Sequence, residues 1–284
     1  MPAPDPETYR ADSAEAWERA ATGWGKRADR VREFGMPVSA WMIEHANLQP
    51  GQRVLELAAG PGDTGFLAAE LIKPGGTLVT SDVAEAMLDV ARERANAQGI
   101  DNVEFRQLQL EWIDLGTATI DTALCRWGIM LVADPEAAVR EIRRVLKPGG
   151  TAAVAVWDEA AKNPWATMPG RALIALGHSE PPDPDAPGMF ALAAPGRLAE
   201  LLHSAGFVDP VVDSVEVERN YDTLESYLSE TLDLSGIFAR ALGELTDEER
   251  ERVREQIAAL AEPYTRPDGS VRLTGRTLVA YATA

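Results

Sequence analysis

The sequence predicts an α/β fold, a doubly wound parallel sheet with helices on both faces, and three observations carry that expectation. Short apolar runs alternate with helix-period segments from Arg53 onward. The runs and helices are separated by Gly/Pro clusters or acidic turns. A glycine-rich loop stands directly between the first run and the helix after it.

The elements follow in order. Residues 1–50 read as a helical cap, with helices over 13–24 and 27–47, the second interrupted by Pro37. Gln49-Pro50-Gly51 stops that pattern, and 53–57 is a short apolar run that reads as a buried strand. Helix 63–72 ends at Lys73-Pro74-Gly75-Gly76, and strand 77–81 leads through Asp82 into helix 84–98. Strands 103–107 and 120–125 follow. Helix 135–146 begins with Asp134 as N-cap and Pro135 at its first position, where the missing N–H costs nothing. Strand 151–157 closes a core of 51–157.

Beyond Trp157 the alternation loosens. Residues 158–194 read as a lid insertion with one helix, 165–176, and a proline-rich loop, 181–187. Residues 195–284 complete the core through helix 195–205, strand 207–219 and strand 271–282. A second helical insertion, 222–265, carries one helix over 222–242 and another over 246–261, with Thr246 and Glu249 spaced as a capping box.

Composition narrows the function. With 45 acidic and 27 basic residues, the formal charge of −18 repels phosphate backbones and anionic membranes, so neither nucleic acid nor stable membrane insertion is expected. Cys125 is the single cysteine, and His45, His178 and His203 stand apart, so no metal site is expected. No basic apolar leader opens the sequence, which points to the cytoplasm.

The sharpest chemical signal is the stretch Glu56 to Gly65, with glycines at 60, 62 and 65 directly after a strand. Gly60 and Gly62 would let a ligand approach the backbone where a Cβ would collide. The spacing G-x-G-x-x-G is shared with dinucleotide enzymes, so context must choose. A carboxylate at Glu56 opposes a pyrophosphate but suits the ammonium and sulfonium of S-adenosyl-L-methionine. Asp82, closing the next strand, suits ribose hydroxyls in either ligand. No second mononucleotide half appears. S-adenosyl-L-methionine is therefore the cofactor expected.

The strings VLELAAGPGDTG, LVTSDVAEAMLDVAR, VEFRQL, LCRWGIMLVADPEAAVREIRRVLKPGG and PDGSVRLTGRTLVAYA resemble class I S-adenosylmethionine-dependent methyltransferases. The branch is similar to the ubiquinone and menaquinone biosynthesis C-methyltransferases and their small-molecule relatives. That resemblance implies a Rossmann-like sheet of seven strands in the order 3-2-1-4-5-7-6, the last antiparallel. It implies that Gly60 and Gly62 face the cofactor and that Asp82 holds the ribose. Gln109 and Leu110 would flank the adenine, with Gln109 where relatives place an acid. Ala58 stands where the fuller motif has glycine, and Arg126 falls near the methionine end.

On the acceptor side, Trp127, Trp165 and Met168 follow strands four and five, where open α/β sheets bind ligands. They predict an aromatic-walled pocket for a small apolar, aromatic or quinonoid acceptor methylated on carbon or oxygen. No catalytic base is assigned, and His178 is the only lid histidine. A homodimer stays open. The rival readings are an NAD-dependent oxidoreductase and a non-catalytic cofactor-binding module that acts through protein contacts.

Overall fold

The structure is a computed structural model that describes residues 5–183 and 186–284. Residues 1–4 of the expected cap and 184–185 of the expected proline-rich loop lie outside the described residues.

Seven strands form one sheet: β1 (Arg53–Leu57), β2 (Thr77–Asp82), β3 (Val103–Gln107), β4 (Ile120–Arg126), β5 (Leu146–Trp157), β6 (Val208–Tyr221) and β7 (Val271–Thr283). Their order is β3-β2-β1-β4-β5-β7-β6. The first five strands pair in parallel, while β7 runs antiparallel to both β5 and β6. The order and the antiparallel seventh strand agree with what the family resemblance implies.

The central strands are apolar because both faces are covered. Val54, Leu55, Leu78, Val79, Ala123, Leu124 and Ala153 to Val156 are all buried. Early in the chain α1 (Pro6–Lys26) packs against α4 (Glu85–Gln98), while α4, α2 (Ala28–His45) and α3 (Thr64–Leu71) pack on this sheet. Next come α5 (Pro135–Val145), α6 (Pro164–Ala175) and α7 (Arg197–Ser204), then α8 (Leu224–Leu234), α9 (Gly236–Gly243) and α10 (Asp247–Ala261). Capping chemistry sets several boundaries. Asp5 accepts from the Thr8 amide at 3.1 Å, and Asp134 from the Ala137 amide at 2.8 Å. Thr246 and Glu249 form the reciprocal capping box of α10.

Two expectations need correction. Pro37 does not interrupt the second helix but lies inside α2. Buried Val31, Phe34, Val38 and Met42 on the same helix supply the packing that outweighs a lost backbone hydrogen bond. The single helix expected over 222–242 is two, because Ser235 leaves the helical path and caps α9 through the Phe238 amide.

The pairing of β6 with β7 extends beyond β5. β5 pairs with β7 only from Thr277 to Thr283, so Val271 to Arg276 pair with β6 alone. That overhang supports a second apolar core, in which Met168, Tyr221, Tyr227, Phe238, Ile257 and Leu273 pack together. The insertions before β6 and after it thus share one core instead of standing as separate loops. Asn163 ties this body to the sheet. Its side chain is fully buried, donates to the carbonyls of Asp158 (3.0 Å) and Arg276 (3.1 Å), and accepts from the Arg276 amide (3.0 Å).

Candidate cofactor cleft

An open cleft lies across the carboxyl ends of β1, β2 and β4. It is lined by Ala58, Gly60, Asp82, Gln109, Leu110, Arg126 and Trp127, with α1 as its roof.

The turn after β1 brings the chain to the opening. Gly60 has φ +54, and a Cβ built there would meet nothing within 4 Å, so its backbone edge is bare toward the cleft. Asp82 is buried, and its two oxygens accept from the Gly60 amide (2.9 Å) and the Ala84 amide (3.0 Å). Burial raises its pKa, while those amide bonds hold it down. One carboxylate therefore fixes the glycine turn and the start of α4 while facing the cleft. Leu110, Val83 and Met87 add apolar walls.

Two non-glycine residues in this lining take left-handed backbone, Ala58 at φ +50 and Trp127 at φ +62. Such conformations cost about 1–2 kcal/mol each for residues with a Cβ. They directly follow β1 and β4. A Cβ on Gly128 would come within 2.6 Å of the Ala58 Cβ.

Four expected contacts are corrected. Glu56 does not line the cleft. Its carboxylate turns into the interior, accepting from the Gly65 amide (2.7 Å) and the Thr80 hydroxyl (3.2 Å), and burial pushes its pKa up to about 7. This explains Gly65, since a Cβ there would fall 2.1 Å from the Glu56 carboxylate. Gly62 also faces inward, where its Cβ would strike the Phe66 ring. Met168 is fully buried in the second core, and Trp165 packs at the seam between that core and the sheet. Neither lines the cleft, because the β6–β7 overhang draws α6 away from the opening. His178 is likewise outside the lining.

Trp17 and Trp24 of the N-terminal helix, which the family resemblance places over this opening, reach the cleft. Tyr9 and Ser13 reach it too, and the sequence reading missed those two, for which helical spacing was the available signal. Glu18 gave no signal. It accepts from the Glu85 (2.6 Å) and Ala86 (3.0 Å) amides and so caps α4 from another helix. Tyr9 donates to the Leu131 carbonyl at 2.9 Å, and Arg10 pairs with Glu111 at 2.8 Å.

Beside the glycine turn lies an aromatic array. Trp127 stacks on Trp157 at 4.3 Å and on Phe34 at 5.9 Å, and Trp165 meets the edge of Trp157 at 4.9 Å. Arg126 lies over Trp127, and the Arg219 guanidinium is held between Phe34 and Trp165, 3.5 and 3.6 Å from the ring centres.

The sheet order and the glycine turn after β1 define a Rossmann-like α/β fold. A family model described as "Methyltransferase domain" matches residues 48–175 of this chain. In sequence, an uncharacterised protein of Mycobacterium tuberculosis is 31% identical over 142 residues, 50% of each chain. The ubiquinone/menaquinone biosynthesis C-methyltransferase UbiE of Cellvibrio japonicus is 34% identical over 109 residues, 38% of this chain and 44% of its own. The chain spans half or less of the length of these curated relatives. Among solved structures, YcgJ of Bacillus subtilis superposes with a TM-score of 0.57 at 18% identity, covering 86% of this chain and 97% of its own. A phosphoethanolamine N-methyltransferase of Haemonchus contortus, in complex with phosphomonomethylethanolamine and S-adenosylhomocysteine, gives 0.51 at 16% identity, covering 87% and 52%. A [4+2]-cyclase, SpnF, gives 0.51 at 20% identity, covering 86% and 79%. The structural likenesses speak for the fold.

Proposed function

We propose that this chain is an S-adenosyl-L-methionine-dependent methyltransferase acting on carbon or oxygen of a small aromatic or quinonoid acceptor. The observation that carries the reading is the pairing of Gly60, bare toward the cleft, with the Asp82 carboxylate bonded to its amide at 2.9 Å. A nucleoside fits there, with its ribose hydroxyls donating to the free lone pairs of Asp82 and its base between Leu110 and the roof of α1. S-adenosyl-L-methionine supplies an electrophilic methyl group. The protein's share is alignment and exclusion of water, and α1, latched through Glu18, Tyr9 and Arg10, provides the cover. The methyltransferase domain match and the UbiE likeness support this over an oxidoreductase. The inward turn of Glu56 withdraws one argument against a dinucleotide, so the discrimination has to be measured.

The reading puts the chain in the cytoplasm with a small-molecule partner. Among the described residues no helix is long and apolar enough to cross a membrane.

Calorimetric titration with S-adenosylhomocysteine and with NAD is the direct test. Micromolar binding of the first and none of the second is expected. NAD binding alone would replace the reading with the oxidoreductase. Binding of S-adenosylhomocysteine without turnover on any phenol or quinone would favour the non-catalytic module.

A further inference from the structure

Helix α1 covers the cleft, yet polar contacts do most of the holding. Among its described residues only Ala21 is buried. Ala21 packs with Ala84 and Met87 in a small cluster flanked by Trp17, apart from the core of the sheet. The neighbouring helix α2 differs, since it buries Val31, Phe34, Val38 and Met42. An element with so little buried apolar surface opens at a low free-energy cost. The two ends of α1 are tied to different bodies. At the C-terminal end Lys26 and Arg27 pair with Asp233 at 2.8 and 2.6 Å, and the Trp24 indole donates to the Leu234 carbonyl at 3.2 Å. Arg27, at φ −102 and ψ 9, breaks the path between α1 and α2. Toward the N-terminal end, only the Tyr9–Leu131 and Arg10–Glu111 contacts described above reach across the cleft.

Between these ends stands Glu18. Helix α4 has Ala84 at its N-cap, a residue with no side chain that can cap it. Three successive amides are therefore satisfied from outside the helix. That of Ala84 donates to Asp82 at 3.0 Å, and those of Glu85 and Ala86 donate to the two oxygens of Glu18 at 2.6 and 3.0 Å. The positive end of the helix dipole favours both carboxylates. They also repel each other: burial first, and the Glu18 charge after it, raise the Asp82 pKa against the pull of the amides. Hydroxyl groups donating to Asp82 would draw off part of its charge and so weaken the repulsion that Glu18 meets. Occupation of Asp82 and docking of Glu18 favour one another for that reason. Glu18 itself does not line the cleft, so it acts through α4 and α1 and not by touching a ligand.

We propose that α1 is a lid hinged at Arg27, and that Glu18 is the positioning residue that holds it shut once a nucleoside occupies Asp82. Opening breaks the Glu18, Tyr9 and Arg10 contacts and leaves the Asp233 end in place. Asp82 keeps its Gly60 and Ala84 amides throughout, so the ribose site stays formed while the lid is open. This rests on the reading of the cleft as an S-adenosyl-L-methionine site and adds how that site closes.

Hydrogen exchange of the full chain is followed by mass spectrometry with and without S-adenosylhomocysteine. Without it, residues 6–24 are expected to exchange at least roughly tenfold faster than β4. Saturating S-adenosylhomocysteine should slow them at least about tenfold in the unaltered chain and less than about threefold in Glu18→Ala. Stopped-flow fluorescence of Trp17 and Trp24 reads the rates. Release of S-adenosylhomocysteine should be at least about tenfold faster in Glu18→Ala, with association within about threefold. Glu18→Gln, which can still accept from an amide but carries no charge, should fall between the two. Tyr9→Phe, which removes a single hydrogen bond and guards against a folding artefact, should speed release by about threefold. Slow exchange of α1 in the unliganded chain, or unchanged release in Glu18→Ala, overturns the lid and leaves the cofactor reading standing. Full ligand protection of α1 in Glu18→Ala overturns the part given to Glu18. Failure of S-adenosylhomocysteine to bind the unaltered chain removes the cofactor reading, and this inference with it.

Discussion

On the side of β1 and β2, the cleft is made of backbone: a glycine turn, two amides on Asp82, and a helix start that follows Asp82 almost at once. On the side of β4 and β5, it adjoins side chains brought together from distant parts of the chain. Phe34, Trp127, Trp157, Trp165 and Arg219 come from two helices, two strands' ends and the hairpin overhang. The first arrangement is specified locally and varies little with the packing around it. The second exists only once the second core has docked on the sheet. A mutation on the first side should therefore change binding with little cost in stability, and one on the second should do the reverse.

Trp165→Ala presses hardest on that contrast. Losing a half-buried indole at the seam should cost about 3 kcal/mol of stability. The affinity for S-adenosylhomocysteine should stay within about twofold, because Trp165 does not line the cleft. Denaturant unfolding and calorimetry on one preparation decide it. A tenfold loss of affinity with unchanged stability would mean the two sides are one site.

Glu56→Gln comes next. The folded carboxyl titrates at about 7 against an ordinary 4.5, so it favours the fold most below pH 4.5 and loses that advantage as pH rises through 7. The whole swing is about 3 kcal/mol. Glutamine can still accept from the Gly65 amide but does not titrate. Melting temperatures measured from acid to slightly alkaline pH should fall less steeply in Glu56→Gln than in the unaltered chain. Parallel curves would show that Glu56 is not the group responsible.

Asp82→Ala should lower cofactor affinity at least about tenfold, with a far-UV spectrum that still reports a folded chain. Unchanged affinity would remove Asp82 from the nucleoside site. The smallest effect is expected at Ala58→Gly. Relief of the left-handed strain, offset by glycine's greater freedom when unfolded, should stabilise the chain by up to about 1 kcal/mol. A loss of stability there would mean that the Ala58 methyl packing against Gly128 matters more than its backbone.

The sequence alone determined the order of elements, most strand boundaries and the position of the glycine turn. Those features follow from local periodicity and turn chemistry, which need no partner. β1 and β3 fall where their apolar runs begin and end, and the Thr246–Glu249 cap stands where its spacing placed it. The sequence also pointed to Ala58, Gly60, Asp82, Gln109, Leu110, Arg126 and Trp127, all of which line the cleft. Only tertiary structure could decide which way a side chain at a strand's end turns. Glu56 is four residues from Gly60, yet it serves Gly65 and Thr80 inside the sheet, because the start of α3 offers an amide at 2.7 Å and the cleft does not. Trp127 directly follows β4, whereas Trp165 and Met168 lie on α6 beyond β5, and the overhang of β6 and β7 takes α6 into a separate core. Asn163, Glu18 and Arg219 gave no sign in the sequence, since each acts on residues far away in the chain. Proximity of that kind is a property of the docked core, set by burial of apolar surface that no local pattern records.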